Sequence, residues 1–255
     1  MRFFENLEHQ YKMRRQYKKL RGIKLDVSQS EIDLYVKEQI VRGLYEHEEF
    51  YLLTRLLKPE DRVLELGACV GFLSAAAAKI CGSSNVMCVE ANPELISVIE
   101  TNHSLNGVSP QLVSGIAALK DVEQSEFFVG ERASGSSILE REGSRKILQK
   151  TVNVNRLIAE FEPSFLMMDI EGAEIDLLPA LDLSDIRMLI VEFHPKLNGF
   201  DAITECINVL TEKGFALRVD QCQNKCMVLQ RTTDPDHAMS SQLSHVLEEQ
   251  GVLSQ

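Results

Sequence analysis

RVLELGACVGFLSAAAAKI, residues 62–80, changes character at its sixth residue. Up to Gly67 it is a short apolar run, the composition of a strand buried on both faces. Beyond Gly71 it turns to small residues, Ala75 to Ala78 among them, which let a helix pack closely on a sheet. A buried strand, a glycine turn and a small-residue helix make the opening half of a β-α-β unit.

The same alternation continues toward the C-terminus. NVMCVE (85–90) predicts a second strand. Asn92-Pro93 opens a helix with a cap and a first-turn proline, and Gly107 closes it. QLVSGIA (111–117), FLMMDI (165–170) and RMLIVEFH (187–194) predict three more strands. Helices are expected over 155–161, after EGAE (171–174), and over 201–213 before Gly214. FALRVD and CMVLQR, around QCQNK (221–225), read as a terminal hairpin. The polar stretch 118–150 predicts a long insertion; we expect it, with Ser134, Ser136 and Ser137, to form a lid or part of an acceptor pocket.

Toward the N-terminus, Lys58-Pro59-Glu60-Asp61 is a turn. Before it, SQSE (28–31) has the pattern of a capping box. Ile32, Val36, Ile40 and Leu44 then recur as one helix face, with a break near Gly43 and a second helical stretch to Leu57. A first helix is expected over much of 3–20, and a last one over 240–249. The expected fold is α/β, a mostly parallel seven-stranded sheet with right-handed crossovers, a C-terminal antiparallel hairpin and N-terminal helices. The expected divisions are an N-terminal helical extension (1–57), a ligand-binding α/β domain (58–231) and a polar tail (232–255).

Composition narrows the function. The net charge of −11 argues against a nucleic-acid partner. No apolar run approaches the roughly 20 residues of a membrane span, and no signal-peptide core follows the N-terminus; a cytoplasmic location is expected. The six cysteines are expected to be free, and no metal site is expected from Cys222 and Cys226, which lack further ligands nearby. Residues 1–24 hold eight basic residues against two acidic ones. That arm reads as a solvated helix or, more sharply, a docking arm for an acidic partner. The N-terminal helices could mediate a homodimer.

In a parallel sheet, ligands bind beyond the carboxyl ends of the strands, so those ends carry the chemistry. The first gives Glu65 to Gly71. Gly67 permits a tight turn and a close backbone approach, but Cys69 stands where a dinucleotide fingerprint needs its second glycine. Glu65 would repel a diphosphate and suits a ligand with an ammonium or sulfonium charge; an ordinary strand–helix turn is the plain alternative. The second strand ends at Glu90, placed to accept hydrogen bonds from ribose hydroxyls. Asn92 either reaches an adenine edge or caps its helix. The fourth ends in Asp169-Ile170-Glu171-Gly172-Ala173-Glu174; Asp169 and Glu171 could face the cleft, while Glu171 and Glu174 could simply favour a helix N-terminus. The fifth ends with Glu192 and His194, two apart and so on one side of the strand. There a carboxylate can orient an imidazole and raise its basicity; a structural histidine is the alternative.

Between Tyr45 and Lys196 the sequence resembles the FkbM-type methyltransferases. The resemblance rests on YEHEE (45–49), VLELGACVGFLS (63–74), VEANP (89–93), SGSSIL (134–139), TVNVNRL (151–157), MMDIEGAEIDLL (167–178) and IVEFHP (190–195), in that order. Cys69 departs from the family's usual Asn or Gly. The resemblance implies a Rossmann-like class I methyltransferase using S-adenosyl-L-methionine, usually on hydroxyls of sugars, lipid-linked glycans or natural products. It implies that Glu65, Gly67, Ala68 and Gly71 hold the methionine end, Glu90, Ala91 and Asn92 the nucleoside, and Ile116 and Ala117 the adenine, with Asp169 nearby. The expected catalytic set is His194 as base, oriented by Glu192, with Asp169 positioning the hydroxyl or the cofactor, and Glu171 beside them. A divalent metal on Asp169 and Glu171 is the rival mechanism. A nicotinamide dehydrogenase and a non-catalytic cofactor-binding scaffold are the rival functions.

Overall fold

A computed structural model describes residues 16–130 and 143–234. In chain order it opens with a hairpin of β1 (Tyr17–Leu20) and β2 (Ile23–Asp26), then α1 (Leu34–Arg42) and α2 (His47–Leu56). The sheet begins at β3 (Val63–Leu66), followed by α3 (Phe72–Cys81), β4 (Val86–Glu90), α4 (Ile96–Leu105) and β5 (Gln111–Ser114). Next come β6 (Ile116–Ala118), β7 (Ser125–Val129), β8 (Arg145–Gln149), β9 (Thr151–Asn153) and α5 (Val154–Phe161). The chain closes with β10 (Phe165–Met168), α6 (Glu174–Leu177), β11 (Met188–Glu192), α7 (Pro195–Glu212), β12 (Phe215–Leu217) and β13 (Cys226–Arg231).

Seven strands form one sheet in the order β12-β13-β11-β10-β3-β4-β5. Only β13 runs against its neighbours, inserted between β11 and β12. The expected α/β fold, parallel sheet and terminal hairpin are all present. The chain lays β3, β4 and β5 outward in one direction, then returns to place β10 on the other side of β3. The gap beyond the carboxyl ends of β3 and β10 is therefore a topological switch point, where open α/β sheets take ligands.

Alternate residues of the central strands enter two apolar clusters, as the two-residue period of a strand requires. Val63, Phe165, Met167 and Ile190 join one; Leu64, Leu66, Leu166 and Val191 join the other. The first cluster also contains Leu20, Ile23, Leu25, Val36, Ile40, Leu52 and Leu53. The described part of the N-terminal segment thus packs into the same core as the sheet.

Several local expectations need correction. Tyr17–Leu20 is a strand, not the end of a helix. Arg21 and Gly22 both take positive φ, 44° and 91°, the geometry of a two-residue hairpin turn, and Leu20, Ile23 and Leu25 alternate inward. The rest of the helix expected over 3–20 lies outside the described residues, as do the helix at 240–249, Ser134, Ser136 and Ser137. The SQSE pattern caps nothing: Ser28 donates to Asp26, and α1 starts five residues later, where Asp33 accepts from Val36 N at 2.9 Å. The break at Gly43 is present, with φ 79°. The insertion 118–150 contains an antiparallel pair, β7 with β8, and the long strand expected at 111–117 breaks at Gly115 into β5 and β6. The first turn of α7 is set off from 201–212 by non-helical Gly199.

Candidate active site

A cleft of about 970 Å³ opens at the switch point, large enough for a drug-sized ligand. Its floor is the turn after β3. Gly67, at φ 93°, has no room for a side chain: a Cβ there would stand 1.8 Å from the carbonyl oxygen of Asp169. The turn is stitched to its neighbours, with Gly67 N and Ala68 N both donating to Val89 O and Asp169 N donating to Leu66 O. Gly71 begins α3, and a Cβ there would press on Ile99 at 2.9 Å.

Glu90 secures one side of this floor. Its two carboxylate oxygens accept from Cys69 N at 2.8 Å and Asn92 N at 2.7 Å. Burial raises its pKa to about 7 against those amide donors. Ala91, Ile116, Ala117 and Phe127 continue the wall, so the β7–β8 pair contributes to the cleft. Gln149 ties that pair back by donating to Ala91 O at 3.0 Å. Four of the expected cofactor residues stand behind the wall: Glu65, Ala68, Gly71 and Asn92 do not line the cleft. Asn92 caps the turn at Pro93 by accepting from Glu94 N. Glu65 is buried beneath the floor, with Oε2 lacking a hydrogen bond. Burial, with the charge of Glu90 adding to it, raises its pKa to about 8.

The opposite side is a ring of acids around His194. The imidazole is 9% exposed. Its Nε2 lies 3.5 Å from Glu171, 3.6 Å from Asp169 and 3.8 Å from Glu192. Its Nδ1 faces Glu174 Oε1 at 3.4 Å, longer than a closed hydrogen bond. The four expected catalytic residues are therefore brought together, but a fifth, Glu174, occupies the side of the ring where an orienting carboxylate was expected to be Glu192. Glu174 is fully buried and fixed: its oxygens accept from Ile170 N and Gly172 N, both at 2.9 Å. Asn198 of α7 holds the same turn by donating to Gly172 O. Glu192 instead pairs with Lys225.

Charge dictates the protonation of this ring. Burial works against an imidazolium, but Glu174, Glu171 and Glu192 outweigh it and raise the His194 pKa above 6.5. Burial, then Glu192 and Glu171, push Asp169 well above the usual carboxylate range. Burial also opposes the charge on Glu192, yet Lys225 holds its pKa below 4.5. Burial raises Glu49 to about 7; Cys226 Sγ donates to it at 2.8 Å. Among the described residues, two groups have ligand atoms spaced for a metal ion: Asp169 with Glu174 and His194, and Glu49 with Glu192 and Cys226. The first differs from the expected Asp169–Glu171 pair.

Residues 44–49 supply a wall that was not expected from the sequence. Tyr45, Glu46 and Glu49 all line the cleft. Six non-glycine residues among those described have left-handed backbone, and four of them line this cleft: Glu46 (φ 43°), Cys69 (φ 47°), Glu171 (φ 56°) and Asn224 (φ 50°). Such conformations cost about 1–3 kcal/mol each and gather at functional sites. The only signal in the sequence was the density of acids in YEHEE.

The residues present fit a nucleoside ligand with a positively charged end. The glycine floor admits a backbone-close approach, Glu90 is fixed at the second strand end, and the facing wall is acidic. A family model described as "Methyltransferase FkbM domain" matches residues 65–217. A ribosomal protein L11 methyltransferase from Thermus thermophilus is 34% identical over 90 residues, 34% of this chain and 35% of that protein; the match spans about a third of that relative's length. Among solved structures, a ribosomal protein L11 methylase from Lactobacillus delbrueckii subsp. bulgaricus is 16% identical, with 72% of this chain and 77% of that chain covered and a TM-score of 0.41. A precorrin-6y C5,15-methyltransferase from Geobacter metallireducens is 10% identical, with 73% and 89% covered and a TM-score of 0.44.

Proposed function

The chain belongs to the FkbM methyltransferase family and uses S-adenosylmethionine; from that premise we propose that it methylates a hydroxyl group of a small-molecule or glycan acceptor, with His194 as the general base. S-adenosylmethionine supplies, when bound, an electrophilic methyl group on a sulfonium. Everything else falls to the chain. Gly67 and Ile116–Ala117 would receive the nucleoside side and Glu90 would accept from the ribose hydroxyls. A hydroxyl is a weak nucleophile, so a base must take its proton as the new bond forms.

His194 carries this reading. Among the described residues it is the one imidazole buried in the cleft among acids, and Nε2 is turned toward Asp169 and Glu171. Glu174, immobile on the other side, favours the proton on Nδ1 and leaves the Nε2 lone pair to the cleft. The 3.4 Å separation would tighten with ligand bound, as catalytic hydrogen bonds do. Asp169 Oδ1 has no hydrogen-bond partner and suits the acceptor hydroxyl as a positioning contact. In this scheme Glu174 takes the orienting role first expected of Glu192.

The test is transfer of labelled methyl to a panel of sugars, glycosides and phenols, with the product bond identified as an ether. His194→Ala should lower turnover about 10²–10⁴-fold and leave S-adenosylhomocysteine affinity within about twofold. Unchanged turnover removes His194 as base; label on nitrogen or carbon removes the hydroxyl. Loss of activity in excess chelator would favour a metal at Asp169, Glu174 and His194 instead. No transfer to any acceptor, with S-adenosylhomocysteine still bound, would favour the scaffold.

A further inference from the structure

The reading above leaves YEHEE without a role and the amino-acid end of the cofactor without a charged partner, because Glu65 lies beneath the floor. We infer that Glu46 receives the ammonium group of the S-adenosylmethionine amino-acid end, with the Tyr45 hydroxyl beside it. The inference rests on the family's cofactor and on neither the acceptor nor His194.

Four observations converge on this. First, the segment stands across from the glycine floor: Tyr45 meets Phe72, the first residue of α3, edge-on at 5.9 Å, and both Tyr45 and Glu46 line the cleft. Second, Tyr45 is 6% exposed, and its hydroxyl lies against Glu46 and Cys69 without closing a well-formed hydrogen bond to either. A buried hydroxyl left this way costs about 1–3 kcal/mol and asks for a ligand. Third, Glu46 is held at φ 43° and ψ 47°. Arg21, at the hairpin tip, donates to Gly43 O at 2.8 Å and to Tyr45 O at 3.4 Å, and its guanidinium lies over the Phe50 ring. Phe50 in turn stacks on Phe72 at 5.3 Å. The hairpin thus fixes a strained carboxylate against the floor. Fourth, no Lys or Arg among the described residues pairs with Glu46, whose neighbours in charge are Glu65, Glu49 and Glu192.

Burial raises the Glu46 pKa well above 4.5, the Tyr45 hydroxyl opposing it and those acids adding to it; a cation would relieve the crowding of acids there. The amino-acid end would then reach the Tyr45–Glu49 side of the cleft, its ammonium at Glu46.

The experiment is calorimetric binding of S-adenosylhomocysteine and its des-amino analogue to the full chain, to Glu46→Gln and to Glu65→Gln. The wild type should bind S-adenosylhomocysteine at least about tenfold more tightly than the analogue, the scale of a hydrogen bond to a charged group. Glu46→Gln should reduce that preference to within about twofold while binding the analogue as wild type does, which also shows that the variant is folded. Should Glu46→Gln not fold, Glu46→Asp should lose at least about fivefold on S-adenosylhomocysteine alone. A preference retained in Glu46→Gln, or lost only in Glu65→Gln, overturns the inference and leaves the cofactor standing. Wild type binding neither ligand overturns the cofactor assignment and this inference with it.

Discussion

The two edges of the central sheet carry buried charge in opposite ways. At the amino edge, Asp61, Ser164 and Arg187 sit just before β3, β10 and β11. Asp61 accepts from Lys58 N, from Ser164 Oγ at 2.7 Å and from both Arg187 Nε and Nη2. Arg187 also donates to Leu56 O and reaches Asp234. Every charge there has an opposite. At the carboxyl edge, residues placed just after the same strands leave Asp169 Oδ1 and His194 Nδ1 buried and unbonded, amid a surplus of acids. A balanced network fixes strand ends; an unbalanced one is kept for what binds there.

The comparison can be broken most severely from the balanced side. Arg187→Ala leaves Asp61 buried without its partner and should destabilise the fold by about 3–5 kcal/mol, measured by denaturant unfolding. Affinity for S-adenosylhomocysteine should stay unchanged below the transition. Loss of ligand binding at full stability would mean that the two edges are not separate devices.

A pH series of melting temperatures sharpens the contrast. At the carboxyl edge Glu65, Glu90 and Glu49 have pKa values raised to about 8, 7 and 7. Their protonated forms favour the folded state, so their contribution is whole below about 4.5 and is lost as pH rises through 7 to 8. His194, also raised, acts in the same direction. The free protein should therefore melt on the order of 5 °C lower at pH 8.5 than at pH 5.5. Asp61 has its pKa lowered: burial alone would raise it, but Arg187, with the Lys58 amide and Ser164, outweighs that. Its contribution is present above about 3.8 and fades only below that. Melting temperatures flat from pH 5.5 to 8.5 would remove the surplus-charge picture.

The smallest expected effect lies within the unbalanced edge. Glu174→Gln removes the carboxylate facing Nδ1 and should lower the His194 pKa. The acid limb of turnover would move down with it, and an imidazole titration by NMR should follow. A limb that stays in place would assign it to another group.

Much of the unbalanced edge was legible because strand ends announce themselves: Glu90, Asp169, Glu192 and His194 each close a buried apolar run, and all but the first gather within one ring. What was illegible depended on position without pattern. Glu174 looked like an ordinary first-turn acid, and only the turn folding back on it buried it against His194. Glu65 looked like a ligand contact because it borders the glycine loop, but its place in β3 points it beneath the floor. The β1–β2 hairpin was hidden by a basic run that also suits a helix; its Arg-Gly turn was the overlooked sign. The Tyr45–Glu49 wall depends on a hairpin more than twenty residues away, a relation that no local period encodes.

The absent side chain at Gly67 has a mechanical meaning. With nothing between them, the turn after β3 and the chain at Asp169 meet backbone to backbone. The facing wall is held by side chains instead: Tyr45, Leu52 and Leu53 enter the core, Arg21 donates to Gly43 O, and Asn224 donates to Glu48. The slot is therefore bounded on one side by backbone seated on backbone and on the other by side chains that join a hairpin to the core.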